Sequence, residues 1–164
     1  MIFIKLDICF MRRLLFFLKK ITIVIFSLFY IGVGIAHFIS PEPFLNIMPP
    51  YLPYHLELVY LSGFFEVLLG FLLLYKKYRV FAGYGLILLL IAVFPANFYL
   101  FQSELARELY GSITQQQAFI RMLFQPLLII TTYWFTIDYK DFKTYCIYFI
   151  CSLITIVYFG QVLF

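Results

Sequence analysis

From Ile21 to Ile39 the chain runs for 19 residues without an Asp, Glu, Lys or Arg, close to the ~20 residues with which an α-helix crosses a bilayer core about 30 Å thick. Comparable apolar runs recur at 58–75, 80–101, 122–137 and 144–164. In hydrocarbon every backbone amide must find its partner inside the protein, so long continuous runs fold as helices, whereas barrel strands would alternate over about ten residues. Composition points the same way: 65% of the residues are hydrophobic and 12% charged, against about 45–50% and about 25% in soluble domains. A domain of this size still exposes roughly a third of its unfolded-chain surface, so the excess cannot be hidden in a core. The aromatic share of 23% suits lipid-facing packing and interfacial belts. These features exclude a disordered segment, a nucleic-acid-binding module and a disulfide scaffold.

The expected fold is therefore all-α: a polytopic transmembrane four-helix bundle within one domain, 21–137, with spans at 21–39, 58–75, 80–101 and 122–137, followed by a fifth, C-terminal transmembrane helix at 144–164. Residues 1–20, with Lys5, Arg12, Arg13, Lys19 and Lys20, read as a basic N-terminal segment. They resemble the charged start of a signal peptide, but the apolar run that follows is too long for a cleaved one and reads as an uncleaved first helix. Met11, just before Arg12 and Arg13, is an alternative first residue. Ser40 to Glu57 carries Pro41, Pro43, Pro49, Pro50 and Pro53 and reads as a proline-stiffened loop, with a short turn around Phe44, Leu45, Ile47 and Met48. Gln102 to Arg121 reads as a polar loop.

Basic residues beside spans stay on the cytoplasmic side. Of the 12 Lys and Arg, only Arg107 and Arg121 fall in the segments after the first and third spans; the others lie in the N-terminal segment, in the Lys76, Lys77, Arg79 cluster and at Lys140 and Lys143. The N-terminus is thus expected in the cytoplasm and the proline loop and Gln-rich loop outside. The cysteines, Cys9, Cys146 and Cys151, form no C-x-x-C, so neither dithiol exchange nor a cysteine metal site is expected.

Ionisable and amide side chains within a span are costly and mark interior sites. His37 lies near the outer end of the first span. Glu66 sits ~12 Å into the second at 1.5 Å per residue. Asn97 follows Pro95 near the outer end of the third, and Gln125 stands one turn from Arg121 at the start of the fourth. Because consecutive spans alternate in direction, all of these fall in the outer half of the membrane, and they are expected to form one interior cluster facing the proline loop. Ser62, Gly63, Glu66 and Gly70 share one face of small residues around the carboxylate, which lets a neighbouring helix approach. Gly32 and Ala36 form a second small-residue pair. Pro95 removes one helical bond and frees the carbonyl of Ile91 as an acceptor beside Asn97. Arg121 is the expected counter-ion at the mouth. His37 with Glu66 lacks a third ligand, so no metal site is expected.

Gly34-Ile-Ala-His37-Phe38, Pro41 to Phe44, Met48-Pro-Pro-Tyr-Leu-Pro53, Ser62-Gly63 with Glu66, Gly70, Arg79 with Ala82 and Gly85, and Ala92 to Asn97 together resemble the DoxX-like family of small bacterial membrane proteins. The resemblance covers about Ile21 to Ile137 and implies a four-helix transmembrane bundle. It places His37, Pro41, Pro49, Pro50, Ser62, Gly63, Glu66, Pro95, Asn97 and Gln125 on the family's motif positions. Leu123 stands where the family commonly has proline between the Arg and the Gln, and the fifth helix lies outside the four-helix unit. Some members are associated with membrane oxidoreductase systems. With donors and acceptors of His37, Glu66, Asn97 and Gln125 set in an aromatic, apolar wall, the expected function is that of an accessory subunit in the bacterial cytoplasmic membrane, binding a small lipophilic molecule such as a quinone in the outer-half pocket on behalf of the membrane redox partner that the resemblance implies. A small-solute transporter would need polar residues continuing inward, and a structural or assembly partner would need only the small-residue faces. No paired thiol, haem ligand pair, nucleotide loop or nucleophile–base constellation is seen, so autonomous catalysis is not expected.

Overall fold

A computed structural model of the chain describes the backbone of residues 2–137 and 142–163 and the side chains of residues 13–137 and 143–158. All regular structure in these residues is helical: α1 (Ile2–Ile39), α2 (Glu42–Leu45), α3 (His55–Leu74), α4 (Arg79–Gln102), α5 (Glu104–Gly111), α6 (Gln115–Thr136) and α7 (Phe142–Leu163). Four helices are long and apolar enough to cross a membrane: Arg13–Ile39, His55–Leu74, Arg79–Gln102 and Gln115–Thr136. Shorter than these in its described side chains is the apolar stretch Lys143–Tyr158 of α7, where the fifth span was expected.

Helix α1 does not begin at Ile21. It runs unbroken through the basic segment, because neither Pro nor Gly occurs between Ile2 and Ile31 to interrupt it. Helix α3 starts at His55, three residues earlier than the apolar run suggests. Its preceding residue, Tyr54, has φ 57°, the left-handed region, so the chain turns sharply out of the proline loop there. At the opposite end the guanidinium Nε of Arg79 donates to the carbonyl of Leu73 at 3.2 Å. A basic residue thereby closes the C-terminus of α3 while opening α4.

The polar stretch after α4 is helical rather than a loop. Ser103 caps α5 by accepting from the amide of Ala106 at 3.2 Å, with Glu104 in the first turn. A full capping box opens α6: the Thr114 hydroxyl accepts from the Gln117 amide at 3.2 Å, and the Gln117 side chain accepts from the Thr114 amide at 2.8 Å. Polarity alone hides this signature. Thr114→Ala is expected to lower stability by about 1 kcal/mol, measurable as a lower melting temperature of the chain in detergent, whereas Thr114→Ser, which keeps the capping hydroxyl, should melt close to the wild type.

Helices α1, α3, α4 and α6 pack in that order, α7 packing on α6 and α1. Helices α1 and α6 close the bundle through side chains: Tyr30 and Thr132 share a hydrogen bond of 3.0 Å, and the rings of Phe26 and Phe135 meet edge-on at 5.5 Å. At the end of α6, Lys19 donates to the carbonyl of Ile137 at 2.6 Å and lies over the Trp134 ring. The hydroxyl of Tyr145 donates to the carbonyl of Leu15, tying α7 to α1. The apolar interior divides into two clusters. The larger joins Ile23, Phe26, Tyr30, Leu73, Leu86, Leu128 and Trp134 along the bundle. The smaller joins Ile47, Leu100, Ala106 and Ala118 beneath α2 and α5. This second layer, with residues 40–54, forms a cap over one end of the bundle.

Candidate functional site

Beneath the cap, between α1, α3, α4 and α6, lies a cavity of about 410 Å³. His37, Glu66, Asn97, Gln125 and Arg121, each from a position picked out in the sequence, all line it, as do Ser62 and Pro95. Tight helix crossing makes this convergence geometrically possible. A Cβ placed on Gly63 would lie 2.6 Å from the His37 Cβ and 2.9 Å from the carbonyl oxygen of Gly34, and one on Gly34 would lie 2.7 Å from the carbonyl oxygen of Gly63. The backbones of α1 and α3 therefore touch at these two glycines; in this antiparallel crossing His37 lies against Gly63 and Glu66 against Gly34, and the two side chains reach along the seam to within 3.5 Å of each other. Gly32, by contrast, has no atom within 4 Å of where its Cβ would be, so the small-residue pair with Ala36 is not a packing seam here.

His37 is 6% exposed. Its Nδ1 donates to the carbonyl of Val33 at 2.8 Å and lies 3.5 Å from Glu66 Oε2. A carbonyl can only accept, which fixes the proton on Nδ1 and leaves Nε2 of the neutral ring as an acceptor. Phe44 of α2 stacks on the imidazole with centroids 3.6 Å apart. Glu66 Oε2 is fully shielded without a hydrogen bond, and among the described residues no Lys or Arg nitrogen lies within 4.0 Å of the carboxylate. On the opposite wall Asn97 donates from Nδ2 to Gln125 Oε1 at 3.1 Å, and Gln125 Nε2 donates to the carbonyl of Leu90 at 2.5 Å. Gln125 thus takes as its backbone acceptor the carbonyl of Leu90, one residue before Ile91. Gln125 is 3% exposed and sits in the middle of α6, since that helix starts at Gln115 rather than at Met122. Arg121 lies in the same helix, and its guanidinium covers the Tyr110 ring at 4.8 Å instead of pairing with Glu66.

The motif prolines act around the cavity. Pro49 is buried, and its carbonyl accepts from His55 Nε2 at 3.1 Å, fastening the cap to the start of α3. Pro41 caps α2, accepting from the amides of Phe44 and Leu45. Pro50 is exposed and outside the wall. Tyr30, whose buried hydroxyl pairs with Thr132, is a wall residue that the polar scan missed. Its spacing of two turns before His37 on the same face of α1 carries the signal. Deeper in the bundle Ser27, Thr131, Ser152 and Thr155 are fully buried, yet none of them lines the cavity. Among the described residues no group of three or more His, Cys, Asp or Glu converges as a metal site would.

Residues 26–136 match the model of the family described as "Domain of unknown function (DUF8561)". The chain belongs to this family. The matched region begins in the second half of α1 and ends with α6, so it contains the whole cavity wall and leaves α7 outside. No curated protein and no solved structure matches the chain.

Proposed function

We propose that this DUF8561 protein is a multi-pass protein of the bacterial cytoplasmic membrane, its N-terminus in the cytoplasm and its cap outside, that binds one small lipophilic molecule in the cavity beneath the cap. The observation that carries this reading is the cavity itself. A space of about 410 Å³ walled mainly by Phe, Leu and Val, with His37, Glu66, Asn97, Gln125 and Arg121 on its lining, has the make-up of a small-molecule site. The uneven placement of basic residues supports the orientation. The DoxX-like motif resemblance supports an accessory role beside a membrane redox partner, a role for which a quinone is one ligand class.

Passage of a solute across the bundle is the second reading, and the buried hydroxyls of Ser27 and Thr131, neither with a hydrogen-bond partner, are what favours it. It ranks lower because the cavity ends at Tyr30 and Leu128 and does not reach them. The binding reading is tested by extracting the protein gently into lipid nanodiscs and analysing the retained lipophilic molecules by mass spectrometry. A discrete species should stay with the wild-type chain and be absent from Val93→Trp, whose side chain fills the cavity. Identical lipid content in both would overturn the reading.

A further inference from the structure

We infer that the molecule taken up by the cavity is a lipophilic primary or secondary amine, bound as the ammonium ion between Glu66 and His37. This rests on the binding reading above and adds the chemical class of the ligand. The argument is an inventory of hydrogen-bonding valences. With Glu66 ionised, every side chain with a free valence at the His37 end of the cavity is an acceptor, the Tyr30 hydroxyl deeper in the wall being engaged with Thr132. The one N–H of the neutral imidazole is spent on Val33, leaving Nε2. The Ser62 hydroxyl donates its proton to the carbonyl of Val59 at 2.9 Å, leaving oxygen lone pairs. Glu66 Oε2, 3.5 Å from His37 Nδ1, has no hydrogen-bond partner, and among the described residues no hydrogen bond reaches its other oxygen. A ligand that satisfies this end must therefore supply N–H or O–H groups. A quinone, which carries only carbonyl oxygens, leaves all of these acceptors unmet.

Charge selects between the two kinds of donor. An ionised carboxylate removed from water costs several kcal/mol unless a cation compensates it, and the nearest basic nitrogen, His37 Nδ1 at 3.5 Å, donates its hydrogen to a backbone carbonyl, so a ligand amine that takes up the Glu66 proton supplies the missing cation. The other formal charge on the wall, Arg121, is committed to the face of Tyr110. Phe29, Tyr30 and Phe65 line the same space, and aromatic faces attract organic cations. An alcohol would meet the acceptors and leave the charge; an ammonium meets both. The apolar body of the ligand would then lie along Leu89 and Val93, toward the amide pair of Asn97 and Gln125.

The test is calorimetric titration of the full chain in nanodiscs at neutral pH, with empty nanodiscs as the blank, using 4-phenylbutylamine, its trimethylammonium analogue, 4-phenylbutanol and a short-chain benzoquinone. The primary amine should bind, and at least about tenfold more tightly than the alcohol or the quaternary ion, as expected from the strength of charge-assisted hydrogen bonds. Glu66→Gln should weaken the amine by about tenfold or more, and Val93→Trp should abolish binding. Equal binding of primary and quaternary amines in the wild type would overturn the inference without recourse to any variant, as would undiminished amine binding by Glu66→Gln. If the quinone binds and the amine does not, the ligand class is wrong while the pocket stands. If no probe binds, the amine inference fails, and the binding reading stands or falls separately on the molecules retained by wild type and Val93→Trp.

Discussion

Gly63→Leu should unfold the crossing of α1 and α3, lowering stability by about 3 kcal/mol or more, at or beyond the upper range for overpacked sites. The first atom of the new side chain already meets the Cβ of His37 at 2.6 Å and the Gly34 carbonyl oxygen at 2.9 Å. Neither obstacle is the far end of a flexible side chain, so relief requires α1 and α3 to separate. That separation also parts His37 from Glu66, and ligand retention should fall together with the melting temperature. Gly32→Ala on the same helix is the matched control. Open space surrounds that position, and alanine exceeds glycine in helix propensity by about 0.8–1 kcal/mol, so the variant should melt at or slightly above the wild-type temperature. A comparable loss at both glycines would show that the crossing is not the determinant.

The second large effect is expected at Gln125. Its side chain links α6 to α4 twice, to Asn97 and to the carbonyl of Leu90. Interhelical hydrogen bonds in membranes average about 0.6 kcal/mol, but Gln125→Leu strands the half-buried amide of Asn97 as well as losing both contacts. A cost of about 1–3 kcal/mol follows from leaving such a group unsatisfied. Adding Asn97→Leu should then cost less than its effect in the wild-type background, since the partner left behind is removed too. Unfolding of the single and double variants in mixed micelles measures the cycle. Additive losses would mean that the two amides stabilise the protein independently.

The four long apolar helices and the side chains around the cavity were legible because lipid makes both conspicuous: a spanning run must be continuous, and a polar residue within it stands out. The signal failed wherever the chain left the apolar register. Residues 102–121 read as a loop from their Glu, Arg and Gln content, although Ser103 and the Thr114–Gln117 pair are helix starts by capping chemistry, which hydropathy does not sense. The role of Phe44 as a stacked cover on His37 could not be read either, since it depends on how α2 folds back across the end of α1. For Arg121 the sequence offers a carboxylate as partner, whereas the fold offers the nearer face of Tyr110, whose helix α5 had not been recognised. Tyr30 escaped because a tyrosine in an apolar run resembles any interfacial aromatic until its partner Thr132 is placed opposite.

The division of the interior into two apolar clusters bears on how the proposed ligand would enter. Ile47, Leu100, Ala106 and Ala118 pack with one another beneath α2 and α5, separately from the long core of the bundle, and the cavity occupies the seam between these layers. Lifting residues 40–54 parts Ile47 from Leu100, Ala106 and Ala118 but leaves the long core intact. The cap can therefore behave as a cooperative unit of its own, with an opening free energy below that of global unfolding. Traffic into the site would then be governed by the hinge residues of 40–54, with Tyr54 in its left-handed turn at one end, while the bundle keeps its fold.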